Sequence, residues 1–85
     1  MERNNQLFLQ LLYIFQAAGM QGLGKLMNPV TNKAEVNLAQ AQESVQMLEM
    51  LKEFTKGNLS KELERSLDMY LTDLRMNYIE EVNKK

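Results

Sequence analysis

The chain has 85 residues, 25% of them charged, with ten basic and eleven acidic side chains and a formal net charge of −1. It contains neither cysteine nor histidine, which excludes disulfides, thiolate metal sites and histidine-based catalysis or metal binding. Because the charges of both signs are interspersed, the sequence lacks the basic stripe that binds a polyanion, and nucleic acid is not expected as a partner.

These limits favour one small domain over residues 1–85 without catalytic activity, cofactor or transition metal. A chain this short hides only about 60% of the surface that its unfolded form exposes, so its core is thin. Small domains compensate with disulfides, metals or oligomerisation, and of these oligomerisation fits the composition. The sequence therefore predicts a homo-oligomer, most simply a homodimer.

The first predicted helix spans about residues 5–26, and its apolar residues cover more than half of its circumference. They are Leu7, Phe8, Leu11, Leu12, Ile14, Phe15, Ala18 and Leu23. Such a helix must be buried on most sides, and Gly19, Gly22 and Gly24 are expected to weaken its final turns. Since Gln10 interrupts the apolar run and no small-residue cleavage site follows, neither a signal peptide nor a membrane span is predicted.

A loop follows, because the Asn-Pro pair at 28–29 cannot continue a helix and Thr-Asn at 31–32 is typical of a turn. The second helix is predicted over about 37–55. Asn37 is a good N-cap, and Gln40 stands where a capping box places Glu or Gln.

The segment KGNLS at 56–60 separates the second helix from a third, predicted over about 60–82. Gly57 suits the left-handed conformation that ends a helix, and Ser60 is an N-cap for the next one. A connection this short makes the two helices an antiparallel hairpin. The predicted fold is therefore all-α, with the hairpin and the apolar N-terminal helix packed across it, in the same chain or in a partner's.

Six motifs spread along the chain resemble a bacterial family of small proteins known as domain of unknown function 1844. They are LG at 23–24, NPVT at 28–31, NLAQAQ at 37–42, LEML at 48–51, TKGNL at 55–59 and DLRMNY at 73–78. The chain departs from the family's usual pattern at Val45-Gln46 and at Phe54. The resemblance implies a small helical protein of the bacterial cytoplasm, and it implies no activity.

Two apolar strips lie away from the predicted core faces of the second and third helices, and together with the first helix they predict a protein interface. Monomers seldom expose large contiguous apolar patches, and flexible Met side chains suit helical partners. The candidate interface residues are Phe8, Leu12 and Phe15 on the first helix, Met47, Met50 and Phe54 on the second, and Met69, Met76 and Ile79 on the third. The predicted function is a helical interaction module, a homodimer that can also bind an unidentified protein.

Two alternatives remain open from the sequence. The first is a small-ligand or anion binder that uses Lys56, Arg75 and Tyr78, since a guanidinium can clamp a carboxylate or a phosphate. Against it, the stem of Arg75 can cover apolar surface while its head pairs with an acid on a neighbouring helix. The second alternative is a peripheral membrane protein that binds through the first helix, although interfacial helices prefer Lys and Arg where this one carries Gln.

Overall fold

A computed structural model describes residues 2–84, and over this range the chain forms three helices and no strand. They are α1 (Arg3–Gly22), α2 (Leu38–Phe54) and α3 (Lys61–Val82). The prediction of an all-α chain with three helices is confirmed. The second and third helices agree with their predicted bounds to within a residue, whereas α1 starts two residues early and ends four residues early.

The end of α1 is set by Gly24. This residue has φ +74°, its amide donates to the carbonyl of Gln21 at 3.0 Å, and the Lys25 amide donates to Met20 at 2.9 Å. These paired bonds form a Schellman motif, in which a glycine in the left-handed region closes the last turn. The prediction that the helix continues to residue 26 is wrong because Gly24 terminates it.

Gly19 and Gly22 lie inside α1, where they allow other helices to approach closely. A Cβ on Gly19 would lie 2.6 Å from the Cδ1 atom of Leu74, and one on Gly22 would lie 2.8 Å from the backbone nitrogen of Ala41. The sequence prediction considered only that glycine weakens a helix. In the structure, the close contacts of these glycines with α2 and α3 compensate for their low helix propensity.

Beyond the buried Leu23, the connection to residue 37 is mostly exposed but hydrogen-bonded. Asn28 donates its amide to the carbonyl of Lys33 at 2.9 Å, and its side-chain oxygen accepts from the Val30 amide at 2.8 Å. Asn32 has φ 56°, a conformation that asparagine tolerates better than most residues. The predicted loop and turn are confirmed.

The start of α2 joins it to the end of α1. The side chain of Asn37 accepts a hydrogen bond from the Gln40 amide at 3.1 Å, which confirms the predicted N-cap. The capping box is not completed, because Gln40 Nε2 donates to the carbonyl of Ala18 at 2.8 Å and the Asn37 amide donates to Gly22 at 2.6 Å. Both groups therefore tie α2 to α1.

The KGNLS joint is a turn between two capped helices. α2 ends at Phe54, and the Asn58 amide donates to the carbonyl of Thr55 at 2.9 Å across Gly57, which has φ +84°. Ser60 Oγ accepts from the Leu63 amide at 3.3 Å, which confirms this cap. Gly57 thus has the predicted left-handed conformation, but within the turn rather than directly after the helix.

The three helices run antiparallel in succession, and α1 packs on α2 and α3 of its own chain. Gly22 at the end of α1 lies against Ala41 near the start of α2. Phe15, earlier on α1, shares a groove with Met47, later on α2, so α1 runs opposite to α2. Gln16 bonds Asp73 and Lys25 pairs with Glu80 further along, so α1 and α3 run parallel. The core consists of Leu12, Leu23, Ala41, Leu48, Leu67, Leu71 and Leu74.

Candidate protein interface

Exposed and half-buried apolar side chains on α1 and α2 line two neighbouring stripes on one face of the molecule. The first stripe is Leu7, Leu11, Ile14 and Ala18, and the second is Met47, Met50 and Phe54. Within each stripe the spacing is three or four residues, so its members share one side of the helix. We call the surface formed by these two stripes the α1–α2 face.

Large parts of the α1–α2 face are open to solvent. Phe54 is 76% exposed, Ile14 57%, Leu7 42% and Met50 38%. Together these four side chains expose about as much surface as two large apolar residues would if fully exposed. That surface is on the order of 400 Å². That is the size at which apolar patches on monomers are often functional.

A groove of about 180 Å³ lies between the two stripes at the end of α1. Its lining residues are Phe15, Ala18, Gln40, Glu43, Ser44 and Met47. Ser44, 4% exposed, forms part of its floor, and no buried side-chain oxygen or nitrogen among the described residues lacks a hydrogen-bond partner. The groove is therefore apolar with a polar rim, and it can accommodate an apolar side chain of another molecule.

The candidate residues predicted on the first helix lie on its inward side. Leu12 is 0% exposed and belongs to the core of its own chain, so its assignment to an interface is corrected. Phe8 and Phe15 are half-buried and pack against the same core, although Phe15 also lines the groove. On the α1–α2 face, the outward apolar residues of α1 are Leu7 and Ile14, which the sequence prediction did not select.

The predicted strip on α3 is exposed but stands apart from the α1–α2 face. Met69, Met76 and Ile79 are about 60% exposed each. On the side of α3 that faces α2, Arg75 pairs with Glu49 and Asp68 pairs with Lys52 at 2.8 Å. On the side that faces α1, Asp73 accepts a hydrogen bond from Gln16 at 3.2 Å. Charged and polar groups therefore flank the strip on both sides.

The connection between α1 and α2 carries further exposed apolar residues that sequence reasoning missed. They are Leu26, Met27, Val30 and Val36, and Val30 is 90% exposed. Most of these residues could have been predicted as exposed from the sequence, because they are apolar and lie in a predicted loop. The turn-forming Asn-Pro and Thr-Asn pairs drew attention to the turn instead.

The three predicted ligand-binding residues do not line a common pocket. Lys56 borders a groove of about 470 Å³ between α2 and α3, whose lining includes neither Arg75 nor Tyr78. Arg75 pairs with Glu49, as expected for an arginine that bridges neighbouring helices, and Tyr78 is half-buried against the core. The structure therefore gives these residues separate surroundings.

The α2–α3 groove is strongly polar at its rim. Its lining combines two lysines with four carboxylates: Lys52, Lys56, Glu49, Glu53, Glu64 and Asp68. No group of three or more acidic side chains among the described residues is arranged to hold a metal ion. Of these charged groups, Lys52 and Asp68 pair with each other across the groove.

The helices described for residues 2–84 include none that is both long and apolar enough to cross a bilayer. Comparison with curated proteins and with solved structures finds no match. A family profile, described as a domain of unknown function, matches residues 5–80, which is nearly the whole chain. The chain therefore belongs to the family Domain of unknown function (DUF1844), in agreement with the resemblance of its six motifs.

Proposed function

We propose that this protein is a non-enzymatic helical interaction module that works as a homodimer in the bacterial cytoplasm. The observation that carries the proposal is the α1–α2 face, which joins exposed apolar side chains of two helices into one surface. The bacterial cytoplasmic setting is the one that the family resemblance implies.

The lack of charge on α1 supports association through this face. From Asn4 to Gly24 the chain has 21 consecutive uncharged residues, although Asn4, Gln6, Gln10 and Tyr13 are exposed. The cores of protein interfaces are depleted in charged residues and enriched in aromatic residues and methionine. An exposed helix with neutral polar and apolar side chains has this composition.

The available area also fits a dimer of moderate strength. Two apolar patches on the order of 400 Å² each sum to about 800 Å², so their polar rims must supply roughly 400 Å² more to reach the lower end of the 1,200–2,000 Å² buried in stable interfaces. Interfaces of that size can still differ widely in affinity because hot-spot quality matters more than area. We expect dissociation in the micromolar range.

Sedimentation equilibrium of the untagged full chain, from low to several hundred micromolar, tests the proposal. The expected result is a reversible monomer–dimer equilibrium with a limiting mass twice the 9.9 kDa of the chain. A mass of 9.9 kDa over the whole concentration range would contradict the homodimer.

A further inference from the structure

We infer that the partner on the α1–α2 face is a second copy of the chain, related by a twofold axis that places Phe54 of each protomer in the α1–α2 groove of the other. The inference rests on the proposed homodimer and specifies its contact. The same face then supplies both the inserted ring and the slot that receives it.

The size of the groove matches an aromatic ring. Phe54 is the large apolar side chain most exposed on any of the three helices, at 76%. The groove lined by Phe15, Ala18 and Met47 has a volume of about 180 Å³. An apolar cavity of roughly 150 Å³ is large enough to bind benzene, so the groove can receive the Phe54 ring.

The positions of ring and groove are compatible with a closed dimer. Phe54 lies near the C-terminal end of α2, and the groove lies about ten residues earlier, beside Ser44, or roughly 15 Å along the helix. A twofold axis that lies in the plane of the face, at right angles to α2 and midway between them, passes close to Met50. It exchanges the two ends, so both insertions occur at once in an isologous interface.

Charges at the two ends of the face are complementary under the same symmetry. Arg3 lies one turn before Leu7 on α1, and Glu43 lies one turn before Met47 on α2 at the groove. Because α1 and α2 run antiparallel, these residues mark opposite ends of the face. The twofold axis brings Arg3 of one protomer toward Glu43 of the partner subunit, in two equivalent places, which favours a second copy as the occupant.

Thiol cross-linking tests the position of the axis, and the absence of cysteine makes the background clean. Met50→Cys places one thiol beside the proposed axis, and Met76→Cys places one on the separate α3 strip. Both positions are exposed helix positions, and Met76 is the more open of the two. With a short bis-maleimide at concentrations where the parent chain is dimeric, we expect Met50→Cys to form covalent dimers at least tenfold faster than Met76→Cys.

Three outcomes are distinguishable. Faster cross-linking at Met50→Cys supports the inference. Equal or faster cross-linking at Met76→Cys, or none at either position while sedimentation still shows a dimer, overturns the assigned face and leaves the homodimer standing. A monomeric parent chain overturns the proposed function itself.

Substitution of the inserted ring gives a second readout. Phe54→Ala removes the ring from an exposed position, so the helical fold should be unaffected, and we expect the dimer dissociation constant to rise at least tenfold. Ile79→Ala, also at an exposed helical position, is the matched control and should change it less than twofold. Equal effects of the two substitutions would contradict insertion of Phe54.

Discussion

α1 and α3 are helices of similar length that present opposite kinds of surface. α1 has one charged residue in its 20, Arg3, whereas α3 has nine in its 22. Both nevertheless expose large apolar side chains: Leu7 and Ile14 on α1, and Met69, Met76 and Ile79 on α3. The number of exposed apolar residues therefore does not separate the two helices.

What separates them is the neighbouring helix. The outward stripe of α1 continues across a groove into the α2 stripe, so the apolar areas of two helices add. The α3 strip meets the ion pairs of Arg75 and Asp68 on one side and the hydrogen-bonded Asp73 on the other. We therefore expect a methionine flanked by charge to behave as ordinary surface, and the same residue beside a second apolar stripe to form part of a patch.

The largest effect should come from placing a charge on the α1–α2 face. Ile14→Glu would leave a carboxylate without a partner when the face is covered, and such burial is strongly unfavourable. We expect the dimer dissociation constant to rise at least 100-fold, or about 2.7 kcal/mol. Sedimentation equilibrium measures it, and circular dichroism checks that the helices persist.

Met76→Glu is the matched control for that experiment, since it adds the same charge to the α3 strip. We expect less than a threefold change in the dissociation constant. If Met76→Glu dissociated the dimer and Ile14→Glu did not, the contrast between the two helices would be reversed.

The second effect concerns the close packing of α1. Gly22→Ala places a Cβ 2.8 Å from two backbone atoms of α2, the Asn37 carbonyl oxygen and the Ala41 nitrogen. Because backbone cannot rotate away as a side chain can, we expect a loss of about 2 kcal/mol in the free energy of unfolding despite the better helix propensity of alanine. Urea unfolding at a fixed protein concentration measures it. A stabilised variant would show that α1 does not approach α2 this closely.

A smaller effect is expected at Gly57, where the reason is conformation rather than space. Apart from its two chain neighbours, no residue would lie within 4 Å of a Cβ on Gly57, but its φ is +84°. Gly57→Ala should therefore lower the free energy of unfolding by about 1 kcal/mol, through the left-handed backbone alone. Thermal and urea unfolding would reveal this, and a neutral substitution would argue against the turn.

The smallest effect is expected at the ion pair between Arg75 and Glu49. Both side chains are nearly half exposed, and exposed pairs contribute roughly 0.2–1 kcal/mol. Arg75→Ala should fall within that range, and the difference should shrink as salt is added. A loss well above 1 kcal/mol that salt does not change would indicate that Arg75 does more than pair with Glu49.

Local chemistry made much of the fold predictable. Asn37 and Ser60 are caps because their side chains satisfy free amides, and Gly57 has positive φ because it lacks a Cβ; each property depends only on nearby residues. The helix bounds follow from such signals. The end of α1 was missed because Gly24 was interpreted as a weak helix residue rather than as the glycine of a Schellman motif.

The inward side of α1 was not predictable from its apolar pattern. With apolar residues around more than half of the helix, periodicity does not choose between Leu12, which is buried, and Ile14, which is exposed. Gly19 and Gly22 determine which side of α1 faces inward. They follow Leu12 at spacings of seven and ten residues, on the same side of the helix, and their lack of a side chain lets the neighbouring helices approach there. The adjacency of the α1 and α2 stripes is tertiary and could not be read from either helix alone.

An isotope-filtered NMR experiment on a dimer of labelled and unlabelled chains tests the self-association of the α1–α2 face most directly. The account predicts intermolecular NOEs from the Phe54 ring to the Ala18 and Met47 methyl groups. Along α2, Phe54 and Met47 are seven residues, or roughly 10 Å of helix rise, apart, and the isotope filter identifies the contact as intermolecular. Intermolecular NOEs from the Met69 and Met76 methyl groups, with none from Phe54, would contradict it.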